Sequence, residues 1–374
     1  MLGISQSIFN EVGGGVKGWL KNPLNQTFFF WYFLPAAGSV FLQLFVVGPA
    51  LGYAAPDVLS GEVTLPEGLS TTESLIALIV GVLSGSFVAL ILLPLFLGIV
   101  LMALSGSILR FYQGALPIER RLLAPWLKRS RNRSDAIYGD LKRKRREYFF
   151  LASRGIRLVI VDGQEQAHSV GEEERTQLID QLKQDIQALH ERHEETYLVQ
   201  QLPIAGERAA PTALGNALAV AEEYPFERYG IDAVVFWPRL RSEIEPEKIE
   251  PLDATFAAMN GLLNISLLAF LFGIEALIVG LIGLIGRAPR WEMFALALFG
   301  VVVAVGAYAA AVSAAHAVGN LMKTFFDYYR GRVLERFNLT MPEDIEEERV
   351  VWLKLAAFVR RGESFYYPSE WRRE

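Results

Sequence analysis

The sequence predicts a polytopic α-helical membrane protein, with four transmembrane helices in two pairs and a mainly α (α+β) cytoplasmic insert between the pairs. Long, nearly charge-free apolar stretches occur in residues 28–112 and 259–322, whereas residues 113–258 are crowded with charge. The chain is also 52% hydrophobic although 21% of its residues are charged. Soluble proteins seldom combine these two values, so the segregation of apolar and charged residues predicts the class.

The apolar stretches are long enough to cross a bilayer, which takes about 20 residues of helix. The first opens with the aromatic cluster Phe28–Phe33, which is typical of a membrane interface. It is too long for a signal-peptide core and no small-residue cleavage site follows it closely, so we expect it to remain as a span. The second contains Pro94, a predicted kink. The predicted spans are residues 28–55, 74–112, 262–285 and 293–321.

The distribution of lysine and arginine beside the spans predicts their orientation. The predicted outer loop, residues 56–73, contains four acidic residues but no Lys or Arg. Lys and Arg are frequent directly after the second and fourth spans. We therefore expect the N-terminal segment 1–27, the insert 113–258 and the tail 323–374 to be cytoplasmic, with the protein in the plasma (inner) membrane of a bacterial cell.

A basic run lies on a predicted helix that begins near Asp135 and ends near Arg154. Beside a span, such charges predict contact with anionic lipid headgroups. Basic runs can also bind the phosphates of nucleic acid, but the position beside a span already explains the charge, so no nucleic-acid partner is predicted. The run consists of Lys142, Arg143, Lys144, Arg145 and Arg146.

Motifs for catalysis or metal binding are missing from the sequence. It has no Gly-rich phosphate loop after a strand, no His-Glu-x-x-His and no Gly-x-Ser-x-Gly, and the absence of cysteine excludes disulfides and cysteine-ligated zinc. His190 and His193 share a face of a polar helix and could begin a zinc site, but their acidic neighbours equally fit a solvated face. We predict no catalytic residue, no metal and no cofactor, and a protein that is not an enzyme; a membrane-bound transferase is a remote alternative.

Residues 211–240 form the most distinctive segment. The pattern predicts a helix with Pro211 in its first turn and its end at Tyr224-Pro225, then a turn at Gly230. Residues 231–237 fit either a second strand or a short buried helix capped by Asp232.

The Leu-Gly-Asn, Tyr-Pro, Arg-Tyr-Gly and Trp-Pro-Arg-Leu motifs of this segment resemble those of a family of bacterial multi-span membrane proteins. The resemblance covers about thirty of the 374 residues and implies relatedness without an activity. The segment is interpreted either as an element packed under the membrane domain or as a ligand pocket. The pocket would use Asn216, Arg228, Asp232 and Arg239.

One acidic residue and one histidine lie inside the predicted spans. Glu275 is near the middle of the third span, where a carboxylate costs at least about 2.5 kcal/mol and should face protein or water. It is either a neutral acid hydrogen-bonded between helices or a functional group. His316, in the fourth span, differs from it in depth by roughly 16 Å, which makes a direct pair within one subunit improbable. Ridges of small residues at Ala307–Gly319 and Gly81–Ala89 predict close helix packing.

Four spans rarely enclose a path on their own. The sequence therefore predicts a homo-oligomer that assembles around an axis as a pore or channel-like structure, gated by the cytoplasmic insert and tail. The alternative is a membrane-anchored scaffold or sensor that conducts nothing and binds a cytoplasmic protein partner or ligand. Glu275 distinguishes the two functions, because substitution should abolish flux in the first and alter at most stability in the second.

Overall fold

The structure is a computed structural model that describes residues 26–50, 91–116, 121–154, 156–161, 164–200, 203–204, 208–286 and 288–365. Nearly all of the predicted N-terminal segment 1–27 lies outside these ranges, as do the predicted outer loop 56–73 and the small residues Gly81, Gly85 and Ala89. The described elements are α1 (Phe29–Ala50), α2 (Leu93–Tyr112), α3 (Ala124–Arg154), β1 (Ile156–Val161), β2 (Gln164–Ser169), α4 (Glu172–Gln200), α5 (Ala213–Tyr229), α6 (Ala233–Ser242), α7 (Pro246–Ile285), α8 (Trp291–Arg336) and α9 (Ile345–Arg361).

Four of the described helices, α1, α2, α7 and α8, are long and apolar enough to cross a membrane. Each coincides with one of the predicted spans, α2 with the part of the second span that begins at Leu93. Helices α7 and α8 are longer than the spans predicted for them, because polar turns at Pro246–Gly261 and Lys323–Arg336 continue the same helices. The structure therefore contains the helices expected of a membrane protein.

The chain divides into two compact units. The first comprises the described residues within 111–240 and 323–374, and the second comprises the described residues within 4–110 and 241–322. Helix α8 is unbroken from Trp291 to Arg336, so its last turns, from Lys323 onward, belong to the first unit.

In the second unit, the helices pack through apolar side chains and through glycine. Val47 on α1 joins Phe272 and Val279 on α7 in one buried cluster. At the crossing of α7 and α8, a Cβ on Gly300 would lie 2.8 Å from the Cα atom of Gly273, so the two backbones are in direct contact. Such close approach of small residues is the usual packing device of helices that lack a hydrophobic driving force in lipid.

The first unit has an aromatic core between α5, α6, α8 and α9. The indole of Trp352 packs edge-on against Phe236 with 4.9 Å between ring centroids, and Trp237 contacts Phe326. All four side chains are at most 1% exposed. Rings of this size bury more apolar area than any aliphatic side chain, so they dominate the packing of α6 between α8 and α9.

Helices α3 and α4 form a further layer of the first unit. Helix α4 has a narrow apolar stripe at Leu178, Leu182, Ile186 and Leu189. Ile186 and Leu189 pack on Tyr138 and Leu141 of α3. A stripe this narrow predicts a single packing seam, either within the chain or with another subunit; the seam lies within the chain. The apolar sequence of β1 is typical of a strand, and β1 forms an antiparallel hairpin with β2, whose polar sequence carries no strand pattern.

The predicted helix end at Tyr224-Pro225 is wrong, because α5 continues through Pro225 to Tyr229. Proline deprives a helix of one hydrogen bond, but α5 is held at both ends. The Thr212 hydroxyl accepts a hydrogen bond from the Gly215 N–H at the start, and Gly230 ends the helix with φ +74°. Residues 233–242 are helical, so of the two alternatives for the next segment the capped helix is correct.

Candidate functional site

The polar residue in the middle of α7 has a partner on α1. The side-chain amide of Gln43 donates a hydrogen bond to a carboxyl oxygen of Glu275, and the Glu275 side chain is partly buried. The flanking α7 residues are apolar, since Phe272 and Ala276 are buried while Leu271 and Ile274 are exposed. The structure therefore places Glu275 between helices, with an amide as its described partner and not His316, which is partly buried on α8.

Two widened turns of α1 coincide with its polar contacts to α7. Helix α1 takes π-helical geometry at Phe29–Phe33 and again at Gln43–Val47. The carbonyl oxygen of Trp31, in the first π segment, accepts a hydrogen bond from the Asn264 side chain, and Gln43 opens the second segment. Single π turns are rare and frequently lie at functional sites, so α1 is irregular where it meets polar groups of α7.

A second polar cluster lies in the first unit, around Asp327 on α8. The hydroxyl of Tyr229 donates to Asp327 Oδ1 at 2.6 Å, and the hydroxyl of Tyr224 donates to the same carboxylate at 3.0 and 3.1 Å. Burial raises the pKa of both tyrosines, and the neighbouring Asp327 carboxylate raises it further. Both hydroxyls are therefore protonated donors at neutral pH.

Two cations complete the Asp327 cluster. The Arg330 guanidinium lies over the Tyr229 ring at 4.0 Å from its centroid, and the Lys323 ammonium lies 5.6 Å from the centroid of Tyr224. Arg330 also donates to the Asp327 backbone carbonyl. The sequence Phe325-Phe326-Asp327-Tyr328-Tyr329-Arg330 suggests an interfacial anchor. The local sequence signal of the Asp327 cluster is a single acid among five aromatic or basic residues.

Arg330 joins the Asp327 cluster to α9. Its Nε atom donates to Glu348 Oε1 at 2.8 Å, and the indole N–H of Trp352 donates to the same oxygen at 3.0 Å. The side chains of Arg330 and Glu348 are 19% and 3% exposed. Because the Glu348 carboxylate is so deeply buried, this ion pair is far less screened by solvent than a surface pair. The cluster thus ties α5, the end of α8 and α9 together.

The four residues of the predicted ligand pocket have separate local roles in the structure. Asn216 is buried, and its side-chain oxygen accepts from the Ala210 N–H at 2.8 Å. Asp232 caps α6 by accepting from the N–H groups of Val234 and Val235, and it forms an ion pair with Arg360 at 2.6 Å.

The other two pocket residues are exposed on their helices. Arg228 is exposed near the end of α5, and its backbone carbonyl accepts a hydrogen bond from Arg349. Arg239 is exposed on α6 and donates to the Val235 carbonyl. Among the described contacts, no group joins all four residues of the predicted pocket. The Leu-Gly-Asn motif instead serves packing, because a Cβ on Gly215 would lie 2.7 Å from the Gln113 carbonyl oxygen.

The basic run on α3 is partly paired within the chain. Lys144 forms an ion pair with Asp185 of α4 at 2.8 Å, and the exposed Arg143 pairs with Asp140 one turn before it. Arg146 is exposed, whereas the side chains of Lys142 and Arg145 lie outside the described part of the chain. The same holds for the side chains of His190 and His193. Within the described ranges, no group of three or more His, Cys, Asp or Glu residues could hold a metal ion.

The chain matches no family model, no curated protein and no solved structure.

Proposed function

We propose that this chain is an integral membrane protein of the bacterial plasma membrane that assembles as a homo-oligomer and forms a pore or channel-like structure, in which Glu275 is the functional polar group. The observation that carries the proposal is the position of Glu275. It is a partly buried carboxyl group within an apolar helix, with one described side-chain partner, Gln43.

The energetics of a buried carboxyl group favour a functional role for this residue. A carboxylate at the centre of a membrane helix costs about 2.5–3.5 kcal/mol or more, and ionisable residues there commonly mark pathways for ions or protons. A hydrogen bond to a neutral amide restores part of that cost. A pair of amide side chains could join α1 and α7 equally well without burying a carboxyl group. The presence of a carboxyl group therefore supports a role beyond joining the helices.

The exposed apolar faces of the helices support oligomerisation. Large side chains on α7 and α8 are exposed in the single chain, among them Ile282 at 58%, Phe299 at 60% and Val305 at 62%. Lipid can cover these faces, but four spans rarely enclose a path by themselves. A closed ring of subunits supplies the missing wall of the pore. In such a ring the termini and the insert face the cytoplasm, as the Lys and Arg distribution predicts.

Helix α8 and the Asp327 cluster support a gating role for the insert and the tail. Because α8 is one unbroken helix, a displacement of its last turns is transmitted along its axis. Arg330 and Asp327 bind those turns to α5 and α9. Binding of a cytoplasmic partner to the insert or tail can therefore act on α8.

The second candidate is a scaffold or sensor that conducts nothing. The same Gln43–Glu275 hydrogen bond favours it, because a carboxyl group paired with an amide is also a good structural link between two helices. In that case the exposed basic residues of α3 and the first unit as a whole would bind a cytoplasmic partner while the apolar helices only anchor the protein.

Subunit count and flux together test the proposal. Native mass spectrometry of the protein in nanodiscs should show a closed ring of four or more subunits; a monomer or dimer contradicts a central pore. Liposomes that contain the protein are then assayed for H⁺, K⁺ and Cl⁻ flux with the wild type and Glu275→Gln, which keeps the size of the side chain and can still accept from Gln43. We expect flux in the wild type and its loss in the variant.

Glu292→Gln is the matched control. Glu292 has the same side chain as Glu275, but it is exposed and lies in the first turn of α8, not in the middle of a helix. Flux should persist in this control. Wild-type liposomes without flux, or a Glu275→Gln variant with full flux, would contradict the pore and favour the scaffold.

A further inference from the structure

Helix α7 has a stripe of polar residues on the face that it turns to α1. Asn260, Asn264 and Glu275 are 4 and 11 residues apart, and at about 100° per residue they lie within roughly 60° of one another around the helix. Two hydrogen bonds show that this face meets α1: Asn264 donates to the Trp31 carbonyl and Glu275 accepts from Gln43. The stripe therefore follows the seam between α1 and α7.

Both asparagines of this face are buried. Asn260 is 4% exposed and Asn264 is 0% exposed. The amide nitrogen of Asn260 donates to the Phe256 carbonyl at 3.0 Å, and that of Asn264 donates to the Trp31 carbonyl at 3.3 Å. Since a carbonyl oxygen can only accept, these contacts fix which end of each amide is the nitrogen.

The amide oxygens of both residues are left without a donor in the part of the chain that the structure describes. Burying an acceptor in this condition is unfavourable, and it occurs twice on one helix face. Residues four apart on a helix have Cβ atoms about 5–6 Å apart, so one small ligand with two donors can reach both oxygens.

We propose that Asn260 and Asn264 hold bound water in the seam between α1 and α7. Water supplies two O–H donors, and buried water typically makes about three hydrogen bonds to polar groups of this kind. A metal cation fits less well, because the two neutral amides bring no charge and the described residues form no cluster of acidic or histidine ligands. The water site is independent of the proposed function, since it exists whether or not the protein conducts.

Hydroxyl-radical footprinting tests the site, because radiolysis of bound water oxidises the side chains next to it even when bulk solvent has no access. The protein in nanodiscs is irradiated with X-rays, and oxidation of Phe256 is measured by mass spectrometry. Phe256 is 1% exposed and lies four residues before Asn260, on the same face of α7. The reference is Phe272, which is 6% exposed on the same helix in an apolar cluster.

We expect Phe256 to be oxidised several-fold faster than Phe272 in the wild type, and this excess to disappear in Asn260→Leu/Asn264→Leu. The single leucine variants replace the double variant if it fails to assemble. Ser266→Ala is the matched control: Ser266 is 3% exposed and its hydroxyl donates to the Ala304 carbonyl, so removal of this hydroxyl should leave the labelling of Phe256 unchanged.

Equal oxidation of Phe256 and Phe272 in the wild type would overturn the water site, as would an excess that survives in the leucine variants. Neither result affects the flux assay with Glu275→Gln, so failure of this inference and failure of the proposed function are distinguishable.

Discussion

Gln43 and Glu275 are 232 residues apart in the chain, and the amide of the first donates a hydrogen bond to the carboxyl group of the second. The bond joins α1 to α7 at a π-helical turn of α1. Within apolar helices a polar contact of this kind specifies which faces meet, because any other alignment leaves both groups without a partner.

Gln43→Leu should therefore destabilise the protein. The substitution leaves the Glu275 carboxyl group without its described partner, and an unsatisfied buried polar group costs about 1–3 kcal/mol. The free energy of unfolding can be measured by titration with SDS in mixed micelles. Phe41→Leu, at a neighbouring position that is 53% exposed, serves as the control and should unfold nearly like the wild type. Equal stability of the two variants would show that the hydrogen bond contributes nothing.

Gly300→Ala should disrupt the crossing of α7 and α8. The new Cβ would lie 2.8 Å from the Ala269 carbonyl oxygen and from the Gly273 Cα atom, and backbone atoms cannot move aside as a side chain can. A Cβ on Gly306 of the same helix would have no neighbouring atom within 4 Å, so Gly306→Ala should stabilise the helix by up to about 1 kcal/mol. The same SDS titration compares them, and a Gly300→Ala variant as stable as Gly306→Ala would contradict the close contact.

Arg330→Met should destabilise the first unit by about 3–5 kcal/mol, because it leaves the buried Glu348 carboxylate without its cation. Adding Glu348→Gln should recover part of the loss, since glutamine is neutral and still accepts from the Trp352 indole. Thermal unfolding followed by tryptophan fluorescence measures both. The exposed ion pair of Arg361 and Glu363 provides the control, and Arg361→Met should leave the transition unchanged.

Stability should fall between pH 10 and about 12 through Tyr138. Burial, followed by the charge of Glu223, raises the pKa of Tyr138 from 10.0 to about 12. Below pH 10 the hydroxyl is protonated in the folded and unfolded states alike, and its contribution is fully present. Above pH 10 the unfolded chain releases this proton first, so the contribution is lost as the pH rises to about 12.

Tyr138→Phe cannot release that proton and should show a shallower decline over this range. Thermal unfolding at pH 9, 10, 11 and 12 compares the variant with the wild type. Tyr224 and Tyr229 still titrate, so the decline should be reduced and not abolished. Identical pH profiles for wild type and Tyr138→Phe would contradict the raised pKa.

Local composition predicted the apolar helices of this protein but not the residues that they bring together. The summed hydropathy of about 20 consecutive residues decides whether a helix suits a bilayer, and this sum can be calculated from the sequence alone. The helices at the predicted spans 262–285 and 293–321 and the turn at Gly230 all follow from such short-range patterns. The helix through Pro225 and the polar strand β2 do not, because α5 is held by its caps at Thr212 and Gly230 and β2 by its pairing with β1.

For the candidate site, the sequence by itself identified Glu275, since an acid in an apolar helix is conspicuous without any partner. The tertiary structure alone decided that its partner is Gln43, and that Asp327 receives hydrogen bonds from Tyr224 and Tyr229, about 100 residues away. The spacing of residues within one helix determines which of them share a face. Which other helix that face meets depends on how whole helices pack, and this information is spread over the entire chain.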